Sequence, residues 1–292
     1  MIRIGDVEIS RIEEIVVLEA SSVFSLWRKE MADTPHLALG PNYYDRSADG
    51  FVTSVHSWLV KTPQQMILID TGSGNGKDRP LSPRFANMNT PYLERLKAAG
   101  AEPSDIDLVI LTHLHIDHVG WNTQVVDGKN VPTFPNATYI MSRAEREVRD
   151  PKLGASMKPP AANLPFLDSV QPIIDAGKAR IVEGTEQIAE GIDLMPVPGH
   201  APGMMAVRVK SGGEEALFIG DVMHQPIQVY HPSWNSKYCE DQDLARVTRT
   251  KILNYAADTG CLLLPVHFGA PYCGRVKRNG DGYEFVPSDT MP

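Results

Sequence analysis

The sequence is short of cysteine and holds no long apolar run. Its 292 residues include three cysteines, Cys239, Cys261 and Cys273, and no two of them form a CxxC pair. An odd, sparse count argues against a disulfide framework and suits a reducing compartment. Cys261 opens the apolar run Cys261-Leu262-Leu263-Leu264, where a buried structural thiol is expected. Nothing near any of the three looks built to lower a thiol pKa, so a reactive role is not expected. No stretch approaches the roughly 18 uninterrupted apolar residues that a membrane span needs. The start, Met1-Ile2-Arg3-Ile4-Gly5-Asp6, lacks the charged region, apolar run and cleavage site of a signal peptide. A cytoplasmic protein without a membrane partner is therefore expected.

Positive charge is scarce as well. The chain has 28 Lys and Arg against 36 Asp and Glu, a net charge of −8. Such a surface repels a phosphate backbone unless the basic residues gather into one patch. The densest basic run, Arg275-Val276-Lys277-Arg278, is short and reads as a solvated surface turn. Nucleic acid is thus excluded as the expected partner. The remaining balance, 42% hydrophobic and 22% charged, is that of an ordinary globular protein, and the length suffices for one large domain or two small ones.

Short β-type runs are punctuated by turn signals. Phe51 to Val60, a turn at Thr62-Pro63-Gln64-Gln65 and the buried run Met66-Ile67-Leu68-Ile69 predict a hairpin. Further strands are expected at Leu108–Leu111, Thr138–Met141, Ile192–Val197, Met205–Val209, Ala216–Ile219 and Leu262–Val266. Helices are expected at Tyr92–Ala99, closed by Gly100, and at Asp243–Tyr255. Strands in two groups, each with helices, suit an α/β protein of two packed sheets with helices outside. No linker cuts the chain, so residues 1–292 are read as a single domain. Two segments break the rhythm. Residues 21–50 carry Phe24, Trp27, Pro35 and Tyr43-Tyr44 and read as a lid or a dimer contact, while residues 151–172 read as a Pro-rich insertion loop.

The chemistry lies in Thr112-His113-Leu114-His115-Ile116-Asp117-His118-Val119-Gly120, directly after the strand at Leu108–Leu111. In an extended chain, residues two apart point to the same side, so His113 and His115 can share one ion. A turn then redirects Asp117 and His118 toward a second position. Three imidazoles and a carboxylate within six residues are costly to bury without a metal, and their nitrogen and oxygen donors suit zinc, with iron or manganese also accepted. Interleaved Leu114, Ile116 and Val119 distinguish the segment from a solvated tag.

At these residues the sequence resembles the metallo-β-lactamase superfamily, whose hallmark is His-x-His-x-Asp-His. Asp70-Thr71-Gly72, Pro198-Gly199-His200-Ala201-Pro202-Gly203, Gly220-Asp221 and Val266-His267-Phe268-Gly269 look like the family's other motifs, in the family's order. The resemblance implies a four-layer αββα sandwich, with two mixed sheets face to face and helices outside. It gives His113, His115 and His200 to one metal and Asp117, His118 and His267 to another, bridged by Asp221. Asp70 would be a supporting carboxylate that holds a ligand or its loop; a plain turn residue is the alternative. The implied reaction is attack by a metal-bridging hydroxide on an ester, lactone or phosphotriester, with Asp117 and Asp221 as the catalytic carboxylates.

Within the superfamily, the commonest zinc β-lactamases place Cys where this chain has Asp221. The RNA-processing nucleases add an RNA-gripping arm, and the glyoxalase II enzymes extend well beyond the last His. The closest likeness is to the branch of acyl-homoserine lactone lactonases and methyl parathion hydrolase, on His115-Ile116-Asp117-His118-Val119-Gly120 and the long region before Asp70. A mononuclear iron persulfide dioxygenase, a β-lactam or dehalogenating hydrolase and a non-catalytic binding member of the fold are the alternatives. The expected partner is a small-molecule substrate, with a homodimer if residues 21–50 form a contact. His224, Tyr230 and Trp121 are the candidates for substrate contact, each with a structural alternative: a satisfied imidazole for His224, core packing for the two aromatics.

Overall fold

In a computed structural model of the protein, residues 1–34, 40–153 and 159–288 are described. The chain forms two compact units. The first comprises Asp6–Ile15 and Val55–Glu186; the second comprises Met1–Gly5, Val16–Ser54 and Gln187–Pro292.

One sheet collects β1 (Ile2–Ile4), β2 (Val7–Ala20), β3 (Tyr44–Asp45), β4 (Gly50–Lys61), β5 (Met66–Ile69) and β6 (Leu108–Ile110). Beyond a separate hairpin of β7 (Thr123–Val126) and β8 (Lys129–Pro132), it gains β9 (Thr138–Ser142) and β10 (Ala179–Val182). The order is β1-β2-β4-β5-β6-β9-β10, with β3 beside β4. The expected hairpin is β4–β5, with Thr62 N–H donating to the Gln65 carbonyl across the turn. From β5 onward the pairs β5–β6, β6–β9 and β9–β10 are parallel. Parallel strands are covered on both faces, which is why Leu108–Leu111 and Thr138–Met141 read as unbroken apolar runs.

The first unit's core joins Leu68, Val109, Tyr139 and Met141 to Tyr92 and Leu96 of α1 (Tyr92–Ala98). α1 stops at Gly100, whose φ of 87° suits glycine alone. Ser142 caps α2 (Arg143–Arg149) by accepting the Glu145 N–H. Where a Pro-rich loop was expected, at 151–172, residues Leu164–Ser169 form α3 and Gln171–Asp175 form α4. Pro165 and Pro172 sit in their first turns, where a missing N–H costs nothing. Residues 154–158 of that segment lie outside the described residues.

The second unit's sheet runs in chain order through β11 (Glu186–Ala189), β12 (Ile192–Pro196), β13 (Met205–Ser211), β14 (Glu214–Gly220), β15 (Leu262–Pro265), β16 (Gly274–Asn279) and β17 (Gly282–Pro287). β14 and β15 are parallel. The connection between them carries α5 (Ile227–Tyr230) and α6 (Gln242–Thr259). Asp241 caps α6 by accepting the Leu244 N–H, and Gly260 ends it at φ 65°. Ile252, Leu253 and Ala256 of α6 pack on Ala206, Leu217, Ile219 and Leu263.

The basic run at Arg275–Arg278 is a strand rather than the solvated turn expected. It lies in β16, which buries Val276, exposes Arg275, Lys277 and Arg278, and pairs with β17. Phe24 and Trp27, read as lid or dimer contacts, are buried against Phe51, with ring centroids 5.2 and 5.0 Å away. Residues 35–39 of that lid segment lie outside the described residues. Among the described residues no disulfide joins the three buried cysteines, and no helix is long and apolar enough to cross a membrane. Burial pushes all three thiols up, Cys273 to about 11.

Candidate metal centre

In the first unit the His-rich loop leaves the end of β6. His113 and His118 are buried, and His115 and Asp117 are partly exposed. The His113 ring centroid lies 4.5 Å from that of His115 and 4.0 Å from that of His118. The loop is tied to the segment after β5. Asp70, at φ 57°, accepts the Thr112 N–H at 2.7 Å and the Thr112 hydroxyl at 2.8 Å. Its Oδ2 also lies 2.9 Å from His118 Nδ1. With Asp70 accepting from Nδ1, the His118 lone pair sits on Nε2, which is 3.7 Å from Asp117 Oδ1.

Backbone bonds weld the two loops together. Thr71 N–H donates to the His118 carbonyl at 2.8 Å and Gly120 N–H to the Gly72 carbonyl at 2.7 Å. The approach is so close that a Cβ on Gly120 would lie 1.8 Å from the Ser73 carbonyl carbon. Glu14 of β2 sits beneath this joint. Its carboxylate accepts Ser73 N–H at 2.6 Å, Gly74 N–H at 2.9 Å and Trp121 Nε1–H at 2.7 Å. Burial nevertheless raises its pKa. From α2, Glu145 Oε2 accepts the Leu114 N–H at 3.0 Å, and an Arg149 terminal nitrogen lies 2.9 Å from His115 Nε2.

In the second unit the ends of β14 and β15 carry Asp221 and His267. Three imidazoles meet the Asp221 carboxylate. His200 Nε2 is 3.2 Å and His224 Nε2 3.3 Å from Oδ2, and His267 Nε2 is 3.1 Å from Oδ1. His267 Nδ1 donates to the Ser54 carbonyl at 2.8 Å, which puts its lone pair on Nε2, facing Oδ1. Two lone-pair atoms at that distance repel unless a positive charge lies between them. One carboxylate cannot neutralise three imidazolium ions, and burial lowers the His224 pKa. The donor set therefore fits a metal cation.

His224 is fixed by its backbone N–H donating to Gln228 Oε1 at 2.6 Å, and the Ser236 hydroxyl lies 3.4 Å from its Nε2. Cys239 Sγ is 4.0 Å from His200 Nδ1. Beneath them Arg249 of α6, fully buried, donates to the carbonyls of Val222, Pro232 and Trp234 and to Asn235 Oδ1. Burial pulls its guanidinium down to about 10, still protonated at neutral pH.

The two aromatic candidates have their polar ends taken up internally. Trp121 stacks on Tyr92 at 5.1 Å and donates to Glu14, and the Tyr230 hydroxyl donates to the Phe285 carbonyl at 3.4 Å. Glu14, Glu145, Arg149 and Arg249 were not singled out from the sequence. Two left a signal: Glu14 follows Ile12 on the buried side of β2, and Arg249 shares the buried face of α6 with Ala245, Ile252 and Ala256.

A sequence profile described as the metallo-beta-lactamase superfamily matches residues 50–265. An N-acyl homoserine lactonase of Bacillus cereus is 26% identical over 172 residues, covering 54% of this chain and 58% of that protein. The chain thus spans less than two thirds of that relative. Two solved structures are similar over the whole chain. Hydrolase AbOPH, described as in the β-lactamase superfamily, has a TM-score of 0.82 at 27% identity, covering 100% of this chain and 97% of its own. AidC, described as a dizinc quorum-quenching lactonase in complex with a product, has a TM-score of 0.81 at 26% identity, with coverages of 100% and 97%. These likenesses bear out the αββα fold class expected from the sequence.

Proposed function

The chain belongs to the metallo-β-lactamase superfamily, and from that premise we propose that it is a dinuclear metal-dependent hydrolase of esters, lactones or phosphotriesters. His113, His115 and His200 would hold one ion, Asp117, His118 and His267 the other, with Asp221 shared between them. Zinc is the first choice, and iron or manganese suits the same donors. The observation that carries the reading is Asp221, whose carboxylate has three imidazole nitrogens at 3.1 to 3.3 Å. A carboxylate shared by two ions needs a ligand of each ion beside it, and His200 at Oδ2 and His267 at Oδ1 stand in those places.

Two bound divalent ions supply an activated water nucleophile and polarise the oxygen on which charge develops. The chain's own groups do the rest. Asp70 fixes the His118 tautomer through Nδ1, and the Ser54 carbonyl does the same for His267. Asp117, partly exposed, would also steer a proton to the leaving group. His224, held by Gln228 beside Asp221 Oδ2, would present its imidazole to the substrate. The −8 charge and the free cysteines suit a cytoplasmic enzyme acting on a small molecule. We take the two units to work as one domain, in a homodimer. The lactonase and AidC relatives favour lactones within the class.

The test is a hydrolysis panel of lactones, aryl esters, phosphotriesters and β-lactams with metal-reconstituted protein. Turnover of a lactone or ester with about two metals bound per chain is expected. Asp221→Ala should lose metal and activity together, with activity down at least about a hundredfold. Full activity with one metal bound would refute the dinuclear reading. A two-metal protein inert on every substrate would point to a binding role.

A further inference from the structure

A guanidinium only donates hydrogen bonds. The Arg149 terminal nitrogen lies 2.9 Å from His115 Nε2, so the contact is a hydrogen bond only if Nε2 offers its lone pair. The imidazole proton then sits on Nδ1. A neutral imidazole has one lone pair, and a metal ion requires that same pair. Arg149 and a metal therefore cannot both be served by His115.

We propose that Arg149 occupies the lone pair of His115 in the metal-free protein and is displaced from it when metal is loaded. This rests on the reading of His115 as a metal ligand. The neighbourhood suits an exchange. Glu145 lies one turn earlier on α2, with Oε2 3.5 Å from Arg149 Nε, so the guanidinium keeps an anionic partner after it leaves the ring. The same Glu145 oxygen takes the Leu114 N–H, so the loop between His113 and His115 stays in place meanwhile. Arg149 is the last residue of α2 and its side chain is 12% exposed, which gives it a way toward solvent. In the exchange one N–H···N hydrogen bond breaks and one metal–nitrogen bond forms. The ring proton stays on Nδ1 if the metal takes Nε2 and moves to Nε2 if it takes Nδ1, so the imidazole remains neutral either way.

Two measurements test this. In metal-stripped, 15N-histidine-labelled protein, long-range 1H–15N spectra should show His115 as the Nδ1–H tautomer, assigned by its absence in His115→Gln. In chelator competition, Arg149→Met should bind the zinc that uses His115 about tenfold more tightly, the range of one charge-assisted hydrogen bond. Both results together support the exchange. An Nε2–H tautomer in the stripped wild type overturns it, and so does zinc affinity in Arg149→Met that is unchanged or weaker. A wild type that binds no zinc ends the metal reading instead, and the tautomer still decides the Arg149 contact. The spectrum needs no variant at position 149, so misfolding of Arg149→Met leaves the test standing.

Discussion

His118 Nδ1 lies 2.9 Å from Asp70 Oδ2, with both side chains out of contact with solvent. A carboxylate 48 positions away in sequence thus fixes which imidazole nitrogen keeps its lone pair. Asp70→Asn should lower metal affinity by about ten- to a hundredfold. Metal content after dialysis and chelator titration reads the change. Wild-type affinity would reduce Asp70 to a turn residue.

Among the described residues no carboxylate pairs with Arg249, which serves four backbone and side-chain oxygens of the 222–235 segment. Its removal leaves those buried acceptors unpaired, at about 1–3 kcal/mol for each that water cannot reach. Arg249→Met should therefore destabilise by at least about 3 kcal/mol in urea unfolding. It should also weaken metal binding, because Val222 follows Asp221. Arg249→Lys, which cannot reach all four oxygens, should recover only part of the loss.

Lys77 predicts a rise in stability at alkaline pH. Its ammonium donates to Thr123 Oγ1 at 2.6 Å and Asn130 Oδ1 at 3.2 Å, and shares Asp168 with the buried Arg79. Burial outweighs Asp168 and pulls its pKa down from 10.5 to about 8. Between those values the unfolded chain holds a proton that the native state has released. Unfolding free energy contributed by this group therefore grows as pH rises through that interval, by at most about 1.4 kcal/mol per pH unit. Urea midpoints measured from pH 7.5 to 10 check it. Lys77→Met should flatten that component of the slope, and an unchanged slope would assign it elsewhere.

Gly120→Ala should be among the worst tolerated substitutions. Its new methyl would lie 1.8 Å from the Ser73 carbonyl carbon, and the Gly120–Gly72 hydrogen bond at 2.7 Å prevents the loops from parting. A loss above about 3 kcal/mol, or failure to fold, is expected. Gly128→Ala is the control. It carries only a conformational penalty, from φ 74° in open space, where Gly120 carries only the close contact, and should cost about 1–2 kcal/mol. Equal losses in the two would deny the close approach.

The elements legible in the sequence are those whose burial follows a simple pattern, unbroken in a parallel strand or one face of a helix. Met66–Ile69 matches β5, Leu108–Leu111 extends β6 by one residue, and Tyr92–Ala99 extends α1 by one. The His-rich loop was legible because its donors are adjacent. β2 was not, because its buried positions Val7, Ile9, Ile12, Glu14 and Glu19 break strict alternation and include two charges. Arg275–Arg278 misled because a strand with one wet face looks like a polar turn when only one apolar residue, Val276, marks the other. Asp70 could be named from its motif, but its hold on Thr112 and His118 depends on β5 lying beside β6, a parallel pairing no local pattern announces. Arg149 was invisible for a similar reason: its contact with His115 is made by packing across 34 positions.

Four of the seven proposed donors come from a single loop, and the other three come from separate places in the chain. An unfolded chain already carries His113, His115, Asp117 and His118 as a ready chelate. Metal offered before folding will be captured there, by the denatured ensemble, well before β14 and β15 pair. By mass action, whatever affinity the denatured chain has subtracts from the stabilisation that metal gives the native state. The rise in melting temperature on metal addition will thus fall short of what the native dissociation constants alone require. The shortfall measures how much of the site the nascent chain already owns.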